Sequence, residues 1–166
     1  MVSIRLEGDV ERLLRRMQKI RDTDKRGLNT ALGETLREST IGRFESQEDP
    51  EGKKWPKSKR VIENGGVTLS KTGRLSGSIH SKATAEGFAV GTNTIYAGTH
   101  QNGMKNKRIT IKAKTPRGLV FKVNGKWVRK KQVRVTINIP KRAFLGISDA
   151  DNREVKATVD EFFMEE

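Results

Sequence analysis

Apolar residues first recur at a helical period: Val10, Leu13, Leu14, Met17 and Ile20 share one face, with Asp9 placed to cap the turn before them. A short strand, Ser3 to Leu6, precedes that helix. Asp22 to Asp24 offers a second cap, after which Leu28, Ala31, Leu32, Leu36 and Phe44 predict a longer amphipathic helix, ended by the turn Asp49-Pro50-Glu51-Gly52. From Lys53 to Gly66 the pattern fails, and Trp55-Pro56 with Asn64-Gly65-Gly66 reads as a loop. A short helix is expected around Gly73 to Ser78. The period then drops to two. Ser78 to Ala85 and Phe88 to Gly91 flank Glu86-Gly87 as a hairpin, and Arg108 to Ala113, Leu119 to Val123, Lys126 to Arg129 and Gln132 to Ile139 are strand-like. Asn124-Gly125 is the strongest two-residue turn signal. Ser148 or Asp149 caps a last helix with Val155, Val159, Phe162 and Phe163 facing inward, its acidic first turn matched to the helix dipole. These elements imply an α+β fold: N-terminal helices and a C-terminal helix packed on a mainly antiparallel β-sheet, with a projecting basic β-hairpin arm. One domain of 166 residues is expected. Its parts are 1–47 (helical), 48–103 (loop, short helix and hairpin), 104–138 (basic section) and 139–166 (corner and last helix).

Charge changes that picture more than composition does. Residues 1–86 hold 18 Lys and Arg against 13 Asp and Glu, residues 87–148 hold 14 against none, and residues 149–166 hold 2 against 7. The net charges are +5, +14 and −5. Sixty-odd residues without a carboxylate make a strongly positive surface that attracts nucleic acid or an acidic protein. The acidic C-terminal helix is one such partner. Apolar and charged residues each form 33% of the chain, polar enough to suggest surfaces that other subunits cover. With no cysteine there is no disulfide framework, thiolate nucleophile or cysteine-type zinc site. The N-terminus lacks the apolar segment of a signal peptide and no stretch is long enough to cross a bilayer, so a soluble protein made in the cytoplasm is expected, with no membrane partner.

Catalytic chemistry finds no foothold. His80 and His100 fall in no paired ligand or nucleophile–base pattern, no phosphate-cradling or nucleophile-elbow motif occurs, and the strand-rich middle has no carboxylates for acid–base or two-metal work. No catalytic residue, metal site or cofactor is expected. The basic section carries Lys105, Lys107, Arg108, Lys112, Lys114, Arg117, Lys122, Lys126, Arg129, Lys130, Lys131 and Arg134. Such cations bind nucleic acid by releasing counterions from phosphates, or form a charged protein interface. Between Gly103 and Pro140 only Phe121 and Trp127 are aromatic, few for a single-strand binder that stacks bases. Trp55 is either an exposed interface anchor or a core residue.

Several phrases, in order, resemble the phage virion morphogenesis family, which includes Mu-type and tail-completion proteins of contractile-tailed phages. They are Phe44 with Pro50-Glu51-Gly52 and Trp55-Pro56; Leu69-Ser70-Lys71-Thr72-Gly73-Arg74-Leu75 with Ser78-Ile79; Val90-Gly91-Thr92-Asn93 and Tyr96-Ala97; His100-Gln101-Asn102-Gly103; and Ile139-Pro140-Lys141-Arg142-Ala143-Phe144-Leu145-Gly146. The likeness runs from Phe44 to the C-terminus, the last phrase being the most specific. Asn102 and Lys141 depart from the pattern, where an aromatic and a small residue are commoner. The section from Met104 to Thr136 falls where the family varies in length. As fold instructions, Thr72 is expected to cap a helix, Gly73 and Gly77 to allow close packing, Pro140 to end a strand, and Arg142 to hold the corner by a charge-assisted bond, subunit contact being the alternative. The resemblance implies a structural virion protein at the neck, completing the tail or joining it to the head. Its partners would be copies of itself in a ring, six being the likeliest number, with tail terminator and connector proteins, and packaged DNA as an open alternative. A basic nucleic-acid-binding accessory protein is the competing reading.

Overall fold

The computed structural model describes residues 24–164 and three helical, exposed positions before them, Arg12, Leu14 and Gln18. The strand expected at Ser3 to Leu6 and the positions Val10, Leu13, Met17 and Ile20 lie outside the described residues. The fold is α+β. Helix α1 (Lys25–Ser46) begins where the Asp24 carboxylate accepts the backbone N–H groups of Arg26 and Gly27, two of the donors that no helical carbonyl can reach. It stops at Gln47, whose left-handed backbone (φ 59°) closes the last turn onto the Arg43 carbonyl, ahead of the Asp49 turn expected to end it.

The expected loop from Lys53 to Gly66 holds a helix of its own, α2 (Lys59–Asn64). Ser58 nucleates it by accepting the Val61 N–H, and Gly65 (φ 71°) terminates it. Strands β1 (His80–Ala83) and β2 (Phe88–Gly91) pair antiparallel around the Glu86-Gly87 turn and pack on α1. Gly33 of α1 faces Ser81 and Phe88 there, and a Cβ on it would come within 3.2 Å of the Ser81 side chain. The phrase Thr72-Gly73 forms a turn and not a capped helix: the Thr72 hydroxyl accepts the Arg74 N–H, and the only helical residues are a 3-10 turn at Ser76–Ser78 with no side-chain cap. Gly73 is needed for its backbone (φ 67°), but neither it nor Gly77 has an atom within 4 Å of a built Cβ, so close packing is not their role.

Helix α3 (Ala97–Asn102) leads to β3 (Met104–Lys112), β4 (Leu119–Val123), β5 (Lys126–Lys130) and β6 (Gln132–Ile139). The antiparallel strands form three two-stranded sheets among the described residues, in place of the single sheet expected. Nesting is the cause. The β4–β5 hairpin lies within the connection between β3 and β6, and the Ala113 N–H to Lys131 carbonyl bond (2.9 Å) carries the ladder beyond β3–β6, so pairing adds length and not width. Asn124 and Gly125 (φ 49° and 79°) make the left-handed pair that a tight hairpin turn requires. Helix α4 (Asp149–Met164) returns to pack along α1.

The core lies between α1, the Trp55 loop, the 3-10 turn, α3 and the segment before α4. Phe44, Trp55, Leu75, Ile79, Ala97 and Phe144 form it, Phe144 being wholly buried (0% exposed). Phe44 sits at the centre, with ring centroids 5.4 Å from both Trp55 and Phe144. At the root of β3, Gly103 (φ 72°) runs so close to the returning chain that a Cβ would lie 2.8 Å from the Lys141 nitrogen and 3.1 Å from the Ile139 carbonyl oxygen. Both obstacles are backbone. Gly103→Ala is therefore expected to lose about 1–3 kcal/mol, the usual cost of a side chain in a strained left-handed position. A thermal melt within 1 °C of the parent would show that this crossing is loose.

Candidate functional site

The most specific phrase, Pro140 to Gly146, forms an irregular corner whose backbone is held by side chains from four directions. Trp55, the buried alternative of its two readings, donates its indole N–H to the Ala143 carbonyl (2.9 Å). Arg142 is buried as well. Its Nε donates to the Pro56 carbonyl (2.7 Å), tying the corner to the Trp55-Pro56 loop, and its own N–H donates to the His100 carbonyl (2.8 Å). The Gln101 side chain accepts the N–H groups of Phe144 and Leu145 (3.0 Å each) and donates to the Leu145 carbonyl (2.7 Å). Buried backbone groups that no helix or strand partners are thus satisfied locally. Pro140 marks the end of β6, and Gly146 lies against the Pro50 ring, leaving no room for a Cβ.

Sequence reasoning missed the fourth support. Arg43 of α1 reaches the carbonyls of Phe144 (2.9 Å) and Gly146 (2.8 Å) and pairs with the carboxylate of Asp151 in the first turn of α4. Asp151 also accepts from the Ser39 hydroxyl and the Ser148 N–H, while its own N–H donates to the Ser148 hydroxyl (3.1 Å). The Ser148–Asp151 exchange is a reciprocal capping box, and its four-residue spacing was the one signal in the sequence. That Asp151 also receives a buried arginine was not legible.

Burial alone would raise the Asp151 pKa, but the bonds from Ser39 and Ser148 and the Arg43 charge outweigh it and hold the carboxyl below its ordinary value of 3.8. For His100, burial and the neighbouring Arg142 charge both push the pKa below 6.5. Its Nδ1 is buried without a hydrogen-bond partner among the described residues, so charging it there is unfavourable. Both folded-state values lie below the unfolded ones, so the unfolded chain binds more protons and stability falls with pH. The histidine contribution is expected to be lost from about pH 6.5 downward. Asp151's contribution is fully present above about pH 4 and disappears as pH falls through its lower folded value. Melting temperatures across this range should decline in two steps, and His100→Gln should remove the upper one. A parent melting temperature unchanged between pH 7 and pH 5 would refute the histidine step.

A cavity of about 200 Å³ lies beside His100, lined also by Arg60, Lys71, Thr72 and Tyr96. It holds cations but no carboxylate, and among the described residues no group of three or more His, Asp or Glu is arranged to hold a metal. Tyr96 stacks edge-on to His100 (centroids 6.0 Å) and is partly exposed beside the fully exposed Ile95. Leu75 is core and Leu145 packs against it, whereas Thr72 and Gly73 are exposed.

All twelve basic residues from Lys105 to Arg134 are exposed, and among the described residues none pairs with a carboxylate. No residue from Met104 to Ile139 is buried. Register sorts the β3–β6 ribbon into two unlike faces. Ile109 opposes Val135, Ile111 opposes Val133 and Lys107 opposes Ile137 on one side; Arg108 opposes Thr136, Thr110 opposes Arg134 and Lys112 opposes Gln132 on the other. At the tip, the Lys122 ammonium sits 5.0 Å above the Trp127 ring, which is otherwise 70% exposed.

A corner built for rigidity, a two-faced basic ribbon and a cavity without acid–base partners define a protein that binds and positions. The model of the phage virion morphogenesis family matches residues 6–163, and the chain belongs to that family. It is a structural, virion-associated protein of phage morphogenesis. No described helix is long and apolar enough to cross a membrane. No curated protein and no solved structure gives a significant match.

Proposed function

We propose that this protein acts at the head–tail junction, completing the tail or joining it to the filled head as a subunit of a ring of six, and that it works by binding, without catalysis. Family membership across nearly the whole chain carries this reading. The geometry supports it in two ways. The ribbon's apolar face, Ile109, Ile111, Val133, Val135 and Ile137, stays partly exposed in the single chain, as a surface awaiting a protein partner does. The acid-free middle and the acidic α4 are unlike, complementary surfaces, and head-to-tail contacts between unlike surfaces are what close a ring. Tail terminator and connector proteins are the other partners on this reading. Phage grown without this gene product should yield full heads and complete-looking tails that remain separate, restored by supplying the protein. Labelled protein should be found in the virion neck. Normal joined particles in its absence, or label confined to another part of the tail, would overturn the reading.

A further inference from the structure

The two faces of the β3–β6 ribbon call for different partners, and the polar face has a composition of its own. Arg108, Thr110, Lys112, Gln132, Arg134 and Thr136 are all exposed, all capable of donating hydrogen bonds, and include no apolar side chain and no carboxylate. Register places Arg134 opposite Thr110, between Arg108 and Lys112. The three cations therefore form a row that crosses from strand to strand, advancing about 7 Å at each step along the ribbon. A protein interface usually has an apolar centre, and here the apolar centre lies on the opposite face. Arg, Lys, Thr and Gln without apolar neighbours are instead the residues that hold phosphate oxygens. A two-stranded ribbon also has the width to enter the major groove of a duplex.

From this segregation we infer that the polar face of the β3–β6 ribbon is a sequence-independent binding site for the phosphate backbone of duplex DNA, while the apolar face is left for protein. The inference deepens the junction reading, on which it rests for the presence of DNA nearby. Thr110, Thr136 and Gln132 supply hydrogen bonds beside the cationic row, and the absence of any carboxylate from residue 87 to residue 148 keeps the field over the face uniformly positive.

The test measures binding of the full chain to a mixed-sequence duplex of about 20 base pairs, by fluorescence anisotropy, from 50 to 200 mM salt. Each phosphate contact contributes about 0.9 to the slope of log affinity against log salt, so the variant Arg108→Gln/Lys112→Gln/Arg134→Gln should lose about 2 to 3 from that slope. The variant Arg108→Lys/Arg134→Lys should keep the slope. A control that removes the same charge elsewhere, Lys53→Gln/Lys57→Gln/Lys59→Gln, should lose less than 1. All altered side chains are exposed, so the variants should melt close to the parent. Equal losses in the ribbon and control variants would reduce the site to net charge and overturn the proposal. So would capture of polyglutamate with no capture of duplex at the same salt, which would assign the face to an acidic protein. Neither outcome touches the junction reading, which stands on whether heads and tails join when the protein is absent.

Discussion

Asp151→Ala should cost about 3–5 kcal/mol of stability, because it strands the Arg43 guanidinium, buried between α1 and α4, without its counter-charge. The loss is compounded. The same carboxylate accepts from Ser39 and from the Ser148 N–H, so its removal also opens the capping box of α4. For a chain of this size, such a loss lowers the melting temperature by about 6–20 °C and consumes a large part of the ordinary folding margin. The corner should loosen with it, since Arg43 is also what holds the Phe144 and Gly146 carbonyls. Replacing both partners, Arg43→Met/Asp151→Leu, should be less damaging than Asp151→Leu alone, because no uncompensated charge then stays buried. A single-variant loss under about 1 kcal/mol would mean that water reaches the pair and that the helices are held by apolar packing alone.

Replacing residues 105–135 by a short Gly/Ser linker should leave the core folded and abolish joining of heads to tails. None of the replaced residues is buried, and none belongs to the core cluster around Phe44 and Phe144. The ends of the segment are already brought together, with Met104 paired to Ile139, so a short linker closes the gap at small entropic cost. Far-ultraviolet circular dichroism should keep its helical signal and melting should remain cooperative, while complementation of a phage lacking the protein should fall by orders of magnitude. An unfolded linker variant would make the ribbon part of the core. Normal titres from a folded one would remove the ribbon from assembly.

What the sequence determined by itself was local. Gln132 to Ile139 alternates apolar and polar and is a strand with that same alternation of half-buried and exposed residues; Asn124-Gly125 makes the hairpin turn; Asp24 and Ser148 cap their helices. Each of these is set by residues within a few positions of one another, where period and turn chemistry act directly. The charge blocks were equally plain, being counts along the chain. Tertiary structure decided the rest. Trp55 could have been core or anchor, and only the carbonyl of Ala143, 88 residues away, settles it inside. Arg43 reads as one more cation on a helix until Asp151, 108 residues on, arrives beside it. Helix α2 depends on a cap so short that the surrounding loop composition hides it, and the division into three narrow sheets follows from which strand finds which partner. An amphipathic pattern says which face of an element will be covered, but it carries no information about what distant segment covers it. That choice is made by the geometry of the folded chain, where burial makes an unpaired charge or carbonyl too costly to leave.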